Sequence, residues 1–153
     1  MIPLFKSQFS IGKSILSVDS IVDIAKENAL KEVVCVEDSF YGFRSLKQKL
    51  SDEGLRLIFG IKLSVVQDST DADLRPSKLI FFAKNNDGMK AIRSLYTDAH
   101  TGELEFLSLC NYKKSFFKDV IIAVPFYDSY IYNNIFMFGL STLSLSGLDH
   151  FYL

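Results

Sequence analysis

The chain has 153 residues, of which 48% are hydrophobic and 23% are charged. These values predict one globular domain with a sizeable core, and they exclude an intrinsically disordered chain. The 17 Lys and Arg side chains nearly cancel the 18 Asp and Glu side chains, so composition gives no general electrostatic preference for nucleic acid.

The two cysteines, Cys35 and Cys110, are too few for a disulfide framework. Cys35 lies within an apolar run, where a free thiol is most simply a small core side chain. Residues 1–10 lack the long apolar stretch of a secretory signal. We therefore expect the protein to occupy a reducing cytoplasm.

Apolar residues spaced by three and four predict helices. The first covers residues 18–29, where the hydroxyl of Ser17 can cap the first amides. The second covers residues 41–51 and is stopped by Gly54. A third begins at Asp87.

Four apolar runs of strand length alternate with these helices, at residues 32–36, 57–66, 79–83 and 120–124. Short strands that alternate with helices of about ten residues indicate parallel βαβ units. Continuous apolar strands are typical of a sheet covered on both faces. The pattern predicts an α/β fold and leaves barrel and open sheet undecided.

Residues 130–148 carry no charged side chain, and a membrane-spanning helix needs about 20 mostly apolar residues. However, Asn133 and Asn134 adjoin near one end, and no basic flank marks a cytoplasmic side. The membrane-spanning helix is kept as an alternative. We expect a buried helix of the α/β fold and no contact with a membrane.

Gly12-Lys13-Ser14 has the sequence that ends a phosphate-binding P-loop. In that motif a second glycine occupies position 7, which here is Ser7, and a long apolar strand precedes the loop. Only residues 2–5 are available for such a strand. The tripeptide alone therefore does not predict a nucleotide site.

Lys113, Lys114 and Lys118 are interleaved with aromatic residues, namely Tyr112, Phe116 and Phe117. This pattern occurs in surfaces that bind single-stranded nucleic acid. It also occurs where a solvated turn covers buried aromatic rings, which is the interpretation that we favour. Direct nucleic-acid binding by this chain is not expected.

Three short stretches share an order that occurs in a known family. Residues 6–10 are Lys-Ser-Gln-Phe-Ser, residues 37–39 are Glu-Asp-Ser and residues 41–42 are Tyr-Gly. With the helix between the first two, they resemble the His-Ser-x-Tyr/Phe-Ser, Thr-Asp-His and Tyr-Gly motifs of the N-terminal PHP (polymerase and histidinol phosphatase) domain of bacterial DNA polymerase III α subunits. Residues 54–65, 79–99 and 149–153 resemble later strands and a helix of that domain.

The resemblance spans nearly all of the chain. It implies a partial or distorted (β/α)7-type PHP barrel with parallel strands, formed by residues 1–153 as a single PHP-like domain that is incomplete at its C-terminus relative to the family.

The resemblance also assigns a metal site. Metal-dependent members carry His-x-His on the first strand, Asp-His after the second and Glu on the third, and the bound metals activate water against a phosphoester. The matching positions here are Leu4, Lys6, Asp38, Ser39 and Lys62. One carboxylate cannot hold a metal cluster, so we expect vestigial metal-site positions with no bound metal, no cofactor and no catalytic residue.

The two lysines at these positions prompt a sharper hypothesis. If the strands end at one rim, the ammonium groups of Lys6 and Lys62 can replace the charge of the metals and neutralise Asp38. The alternative is that each lysine extends separately into solvent.

The resemblance implies a catalytically inactive PHP domain that acts as a structural or docking module in DNA replication. Its partners would be the remainder of the polymerase or a proofreading exonuclease. The first alternative is a small stand-alone interaction protein, for example a viral one, that binds or inhibits a replication factor. The second is a residual metal-dependent phosphoesterase. Polymerase activity would belong to the rest of a longer chain.

Overall fold

The structure is a computed structural model that describes residues 3–70, 76–101, 105–136 and 143–153. The chain forms two compact units, Met1–Ile61 and Lys62–Leu153. One strand, β3, passes through the boundary between them. The single domain expected over residues 1–153 stays a prediction.

The first unit alternates strands and helices as the apolar pattern predicts. Its elements are β1 (Leu4–Phe5), α1 (Val18–Glu27), β2 (Glu32–Glu37), α2 (Phe43–Asp52) and the first part of β3 (Arg56–Val66). β2 lies between β1 and β3, and both pairs are parallel. The carboxyl ends of β1 and β2 therefore lie side by side, because Phe5 is opposite Cys35.

Helix α1 begins where the sequence predicts. The hydroxyl of Ser17 accepts the N–H of Ser20 at 3.0 Å, which satisfies one of the free amides of the first turn. The buried apolar residues of this unit come from both helices, all three strands and the turn before β3: Phe5, Val18, Ile21, Val22, Ala25, Val33, Cys35, Val36, Leu46, Leu50, Leu55, Phe59 and Ile61.

Helix α2 begins at Phe43, two residues later than predicted, and Gly42 just before it adjoins an aromatic ring. A Cβ atom at Gly42 would lie 1.9 Å from a ring carbon of Phe9. Only glycine leaves room for that ring, so the loop after β1 packs directly against the start of α2.

The second unit contains the rest of β3 and six further elements, with two short 3-10 helices at Leu109–Asn111 and Lys114–Phe117. The elements are β4 (Ser77–Ala83), α3 (Asn86–Thr101), β5 (Leu107–Ser108), β6 (Val120–Val124), α4 (Tyr130–Phe136) and β7 (His150–Tyr152). The strand order is β3-β4-β6-β7, and β5 pairs with β3.

The expectation of parallel strands is correct only in part. The pairs β3–β5 and β6–β7 are parallel, whereas β4 and β6 are antiparallel. Ala83 at the end of β4 is opposite Val120 at the start of β6. The chain between them leaves and returns at the same end of β4, and this return reverses the strand direction. The fold is therefore mixed α/β.

The uncharged segment after β6 also differs from expectation. It forms α4, but none of the helix residues is buried, so the prediction of a buried helix is wrong for this part; residues 137–142 lie outside the described residues. The rings of Phe126, Tyr132 and Phe136 lie 4.9–6.2 Å apart, so local contacts take up part of the apolar surface. Within the described ranges, no helix has the length and apolar content that a membrane crossing requires.

The first turn of α3 packs against Asp119, the residue before β6, through Gly88. A Cβ atom at Gly88 would lie 2.0 Å from the carbonyl oxygen of Asp119, and this oxygen accepts the N–H of Lys84 at 2.9 Å. We predict that Gly88→Ala lowers the free energy of unfolding by about 1–3 kcal/mol, because the backbone must move. Urea denaturation measures it.

Ser94→Ala is the matched control, since Ser94 is exposed on the same helix. It should change stability by less than about 0.5 kcal/mol. Equal effects of the two substitutions would contradict the close packing at Gly88.

Candidate functional site

The parallel pairing of β1 and β2 brings two of the five predicted positions together. Lys6 follows β1 and Asp38 follows β2, so both lie at the same carboxyl edge. The ammonium of Lys6 is 2.7 Å from Oδ2 of Asp38. The expected ion pair between Lys6 and Asp38 is present, whereas the replacement of a metal charge by this lysine stays a prediction.

A second ammonium reaches the same oxygen. Nζ of Lys13 lies 3.1 Å from Oδ2 of Asp38. Lys13 belongs to the loop between β1 and α1, where Gly12 has a φ of +76° that favours glycine. Ser14 braces this loop, because its hydroxyl donates to the carbonyl of Lys6 at 2.6 Å and accepts the N–H of Leu16 at 3.2 Å.

The Gly12-Lys13-Ser14 tripeptide thus has a local structural role. The glycine makes the turn, the lysine pairs with Asp38 and the serine closes the loop. Sequence reasoning singled out the tripeptide but not the ion pair of Lys13. The glycine was the available signal, since it marks a turn that can bring its neighbour back towards β2.

Sequence reasoning also missed Glu37, the last residue of β2. Its side chain is 1% exposed. It accepts the N–H of Ser7 at 2.7 Å and the hydroxyl of Ser10 at 2.5 Å. The Ser10 oxygen also accepts the N–H of Asp38 at 3.4 Å. Because a buried carboxyl group is costly unless it is hydrogen-bonded, these contacts fasten the loop to β2.

Burial, together with the neighbouring charge and hydrogen bond of Glu37, raises the pKa of Cys35 to about 12. The thiol lies 3.7 Å from Oε1 of Glu37. It therefore remains protonated at neutral pH and is not a nucleophile, since the thiolate is the reactive form.

The other three predicted positions have different surroundings. Leu4 in β1 is 48% exposed. Ser39 is half-buried, and its hydroxyl accepts the N–H of Tyr41 at 3.3 Å. Lys62 belongs to the second unit, where its ammonium lies 3.4 Å from a carboxylate oxygen of Asp128. The proposed part of Lys62 at Asp38 stays a prediction.

Opposing effects act on the pKa of Asp38. Burial raises it, but the hydrogen bonds and charges of Lys6 and Lys13 outweigh burial and hold the pKa below its ordinary value. The carboxylate is therefore ionised at neutral pH, with one oxygen shared by two cations. Protonated lysines have no lone pair to offer a metal.

Metal ions in proteins are held by clusters of His, Cys, Asp and Glu side chains. In residues 3–70, 76–101, 105–136 and 143–153, no group of three or more His, Cys, Asp or Glu side chains is placed to hold a metal ion. The chemistry that this arrangement supports is electrostatic fastening of a loop.

The lysine-rich segment at residues 112–118 has aromatic rings that are buried to different extents. Phe117 is buried, Tyr112 and Phe116 are half-buried, and Lys113, Lys114 and Lys118 are exposed. The hydroxyl of Tyr112 donates to Asp98 at 2.5 Å. A solvated turn over packed rings accounts for these contacts.

The lowered pKa of Asp38 gives a pH dependence. The unfolded pKa is about 3.9, so the stability that the ion pairs contribute is complete well above that value and is lost as the pH falls through the lower folded pKa. We predict that Asp38→Asn lowers the free energy of unfolding by about 1 kcal/mol at neutral pH.

Urea denaturation of both proteins across the pH range checks this. The difference between them should stay constant from about pH 7 to about pH 5 and shrink below about pH 4. A difference that grows towards low pH would contradict the ion-pair arrangement.

Glu37 allows a comparison within one strand. Glu37→Ala leaves the N–H of Ser7 and the hydroxyl of Ser10 without their buried acceptor, so we predict a loss of about 3 kcal/mol in stability. Glu32→Ala is the control, because Glu32 lies at the other end of β2 and pairs at 2.8 Å with the exposed Arg56 of β3. This substitution should lower the stability by at most about 1 kcal/mol. Equal losses in thermal or urea unfolding would show that Glu37 does not anchor the loop.

Comparison with protein families gives a match over most of the chain. The model of the PHP domain family matches residues 5–136, which begin at the last residue of β1 and include both helices of the first unit and the strands β2 to β6. Among curated proteins, none matches the chain. The matched range covers most of the 153 residues and contains the ion-paired edge formed by Lys6, Lys13 and Asp38. The chain therefore belongs to the PHP domain family.

Proposed function

We propose that this chain is a catalytically inactive PHP domain of the DNA polymerase III α type, which serves as a structural or docking module in DNA replication. The observation that carries the proposal is the double ion pair at Asp38, with Lys6 at 2.7 Å and Lys13 at 3.1 Å. By the resemblance, metal-dependent members of the family carry histidines at the positions that correspond to Leu4, Lys6 and Ser39.

Electrostatic repulsion disfavours a metal ion at this edge. A divalent cation at this edge would have to displace two ammonium groups from the carboxylate, and like charges at such distances repel each other. Leucine and serine at positions 4 and 39 supply neither imidazole nor carboxylate in return. The lysines supply the positive charge that keeps Asp38 satisfied without a metal.

The loop after β1 is fastened to β2 without a metal ion, as a structural module requires. Glu37 anchors the loop through Ser7 and Ser10, and Asp38 anchors it through Lys13. Such a rigid edge suits a domain that braces a larger assembly or presents a surface to another replication protein. Affinity purification from the native host tests this role. Replication proteins should be recovered together with the tagged chain, in proportion to its amount. Their absence would count against the docking role.

A gain-of-function variant tests the site assignment. We predict that purified wild-type protein binds no zinc or manganese stoichiometrically and shows no phosphodiesterase turnover. Leu4→His/Lys6→His/Ser39→His should bind zinc, because three imidazoles join Asp38 and both the Lys6 ammonium and its repulsion are lost. Calorimetric zinc titration measures the gain.

The control is the same triple variant with Asp38→Asn, which should bind zinc at least about tenfold more weakly because one anionic ligand is gone. Metal-dependent turnover by the wild type would overturn the proposal of inactivity. Equal zinc affinity with and without Asp38 would overturn the site assignment.

A further inference from the structure

The loop between β1 and α1 carries two strongly exposed isoleucines. Ile11 is 87% exposed and Ile15 is 98% exposed. An isoleucine side chain stabilises the folded state only when it is removed from water. These two side chains therefore contribute almost nothing to the stability of the fold. They stand on either side of the Gly12-Lys13-Ser14 turn.

The backbone that carries them is held in place. The N–H groups of Lys13 and Ser14 both donate to the carbonyl of Ser10, at 3.0 and 3.3 Å, and the N–H of Gln8 donates to Leu16 at 2.8 Å. The buried carboxyl group of Glu37 fixes the start of the loop. A partner would therefore meet a preorganised surface, and β-branched side chains have few rotamers to lose on contact.

A depression adjoins these side chains. It measures about 720 Å³ and is lined by Gly12, Lys13, Ser14, Ile15, Leu16 and Ser20. Its lining therefore combines two aliphatic residues, Ile15 and Leu16, with one lysine. A surface of this kind accepts an apolar side chain of a partner.

The charge beside the depression is positive on its outer side. Of the three groups in the ion-paired cluster, Lys13 is 56% exposed, Asp38 is 28% exposed and Lys6 is 24% exposed. Glu37 is buried, and its oxygens face Ser7 and Ser10. The group that meets an approaching molecule is therefore an ammonium.

We propose that residues 11–16, with Ser20, form a docking surface for a short segment of a partner protein that carries an apolar side chain next to an acidic one. The apolar side chain occupies the depression against Ile15, and the carboxylate pairs with Lys13. This inference rests on the proposed docking role and adds the place and chemistry of the contact. A single cation flanked by isoleucines matches one carboxylate better than a nucleic acid, whose affinity requires several phosphate contacts.

The test uses displayed random peptides of about 12 residues, which are long enough to cross the depression. Selection on the immobilised full chain should enrich peptides that combine an acidic with an apolar residue. Fluorescence polarisation of a synthesised winner then gives affinities. Ile15→Ser should weaken binding about tenfold, and Lys13→Gln should weaken it and remove most of its salt dependence.

Ile135→Ser is the matched control, because Ile135 is 57% exposed on α4, and it should leave the affinity unchanged. Ile15 is almost fully exposed, so its substitution tests contact without a risk to folding. No enrichment, winners without an acidic residue, or equal binding by Ile15→Ser would each overturn the inference. A labelled single-stranded oligonucleotide that bound with a Lys13-dependent affinity would overturn it in favour of a nucleic-acid contact.

The outcomes separate this inference from the proposed function. Peptide selection does not depend on metal content, turnover or the identity of host proteins. If replication proteins are recovered from the host and Ile15→Ser recovers them equally, the docking role stands and the surface lies elsewhere. If peptides bind as expected but no replication protein is recovered, the surface stands and the replication role fails.

Discussion

The buried carboxyl group of Glu37 is the constraint on which the first unit depends. A carboxyl group at 1% exposure must find hydrogen-bond donors or lose several kcal/mol. Its donors are the N–H of Ser7 and the hydroxyl of Ser10, both in the loop after β1. Satisfying Glu37 therefore determines where that loop starts, and this in turn determines where Gly12 turns and where Lys13 can reach.

The ion pairs at Asp38 are a consequence of this arrangement. Parallel pairing places Lys6 beside Asp38, and the anchored loop adds Lys13. A partly buried carboxylate with two cations on one oxygen is stable at neutral pH without a metal ion. The loop thus has two fastenings, one inside the unit and one at its surface, and neither uses positions 4 or 39.

The apolar pattern predicted the elements well because burial governs them. Helix α1 with its Ser17 cap, strand β2 and strand β6 lie where periodicity puts them. The direction of β6 was not predictable, since an apolar run has the same appearance in a parallel and an antiparallel strand. The exposure of α4 was not predictable either, because its uncharged residues satisfy the same pattern as a core helix.

The candidate site divides in the same way. The contact between Lys6 and Asp38 followed from strand order, which the resemblance supplied. The contact of Lys13 depends on a left-handed glycine and on hydrogen bonds from three serines, and no periodic signal encodes these. Glu37 gave no signal because an acidic residue at the end of an apolar strand is ordinarily solvated. Its burial becomes evident only once the loop serines are placed against it.

The same loop is suited to the contact surface that we propose. Hydrogen bonds within the loop already fix the backbone, so the ordering cost of a contact is met during folding rather than on binding. Ile11 and Ile15 take no part in those hydrogen bonds or in the core, and their identity is free to serve a partner. Lys13 links the two roles, because one ammonium both fastens the loop to Asp38 and faces solvent beside the depression. A carboxylate that approaches from outside competes with Asp38 for that ammonium, while Lys6 keeps Asp38 paired.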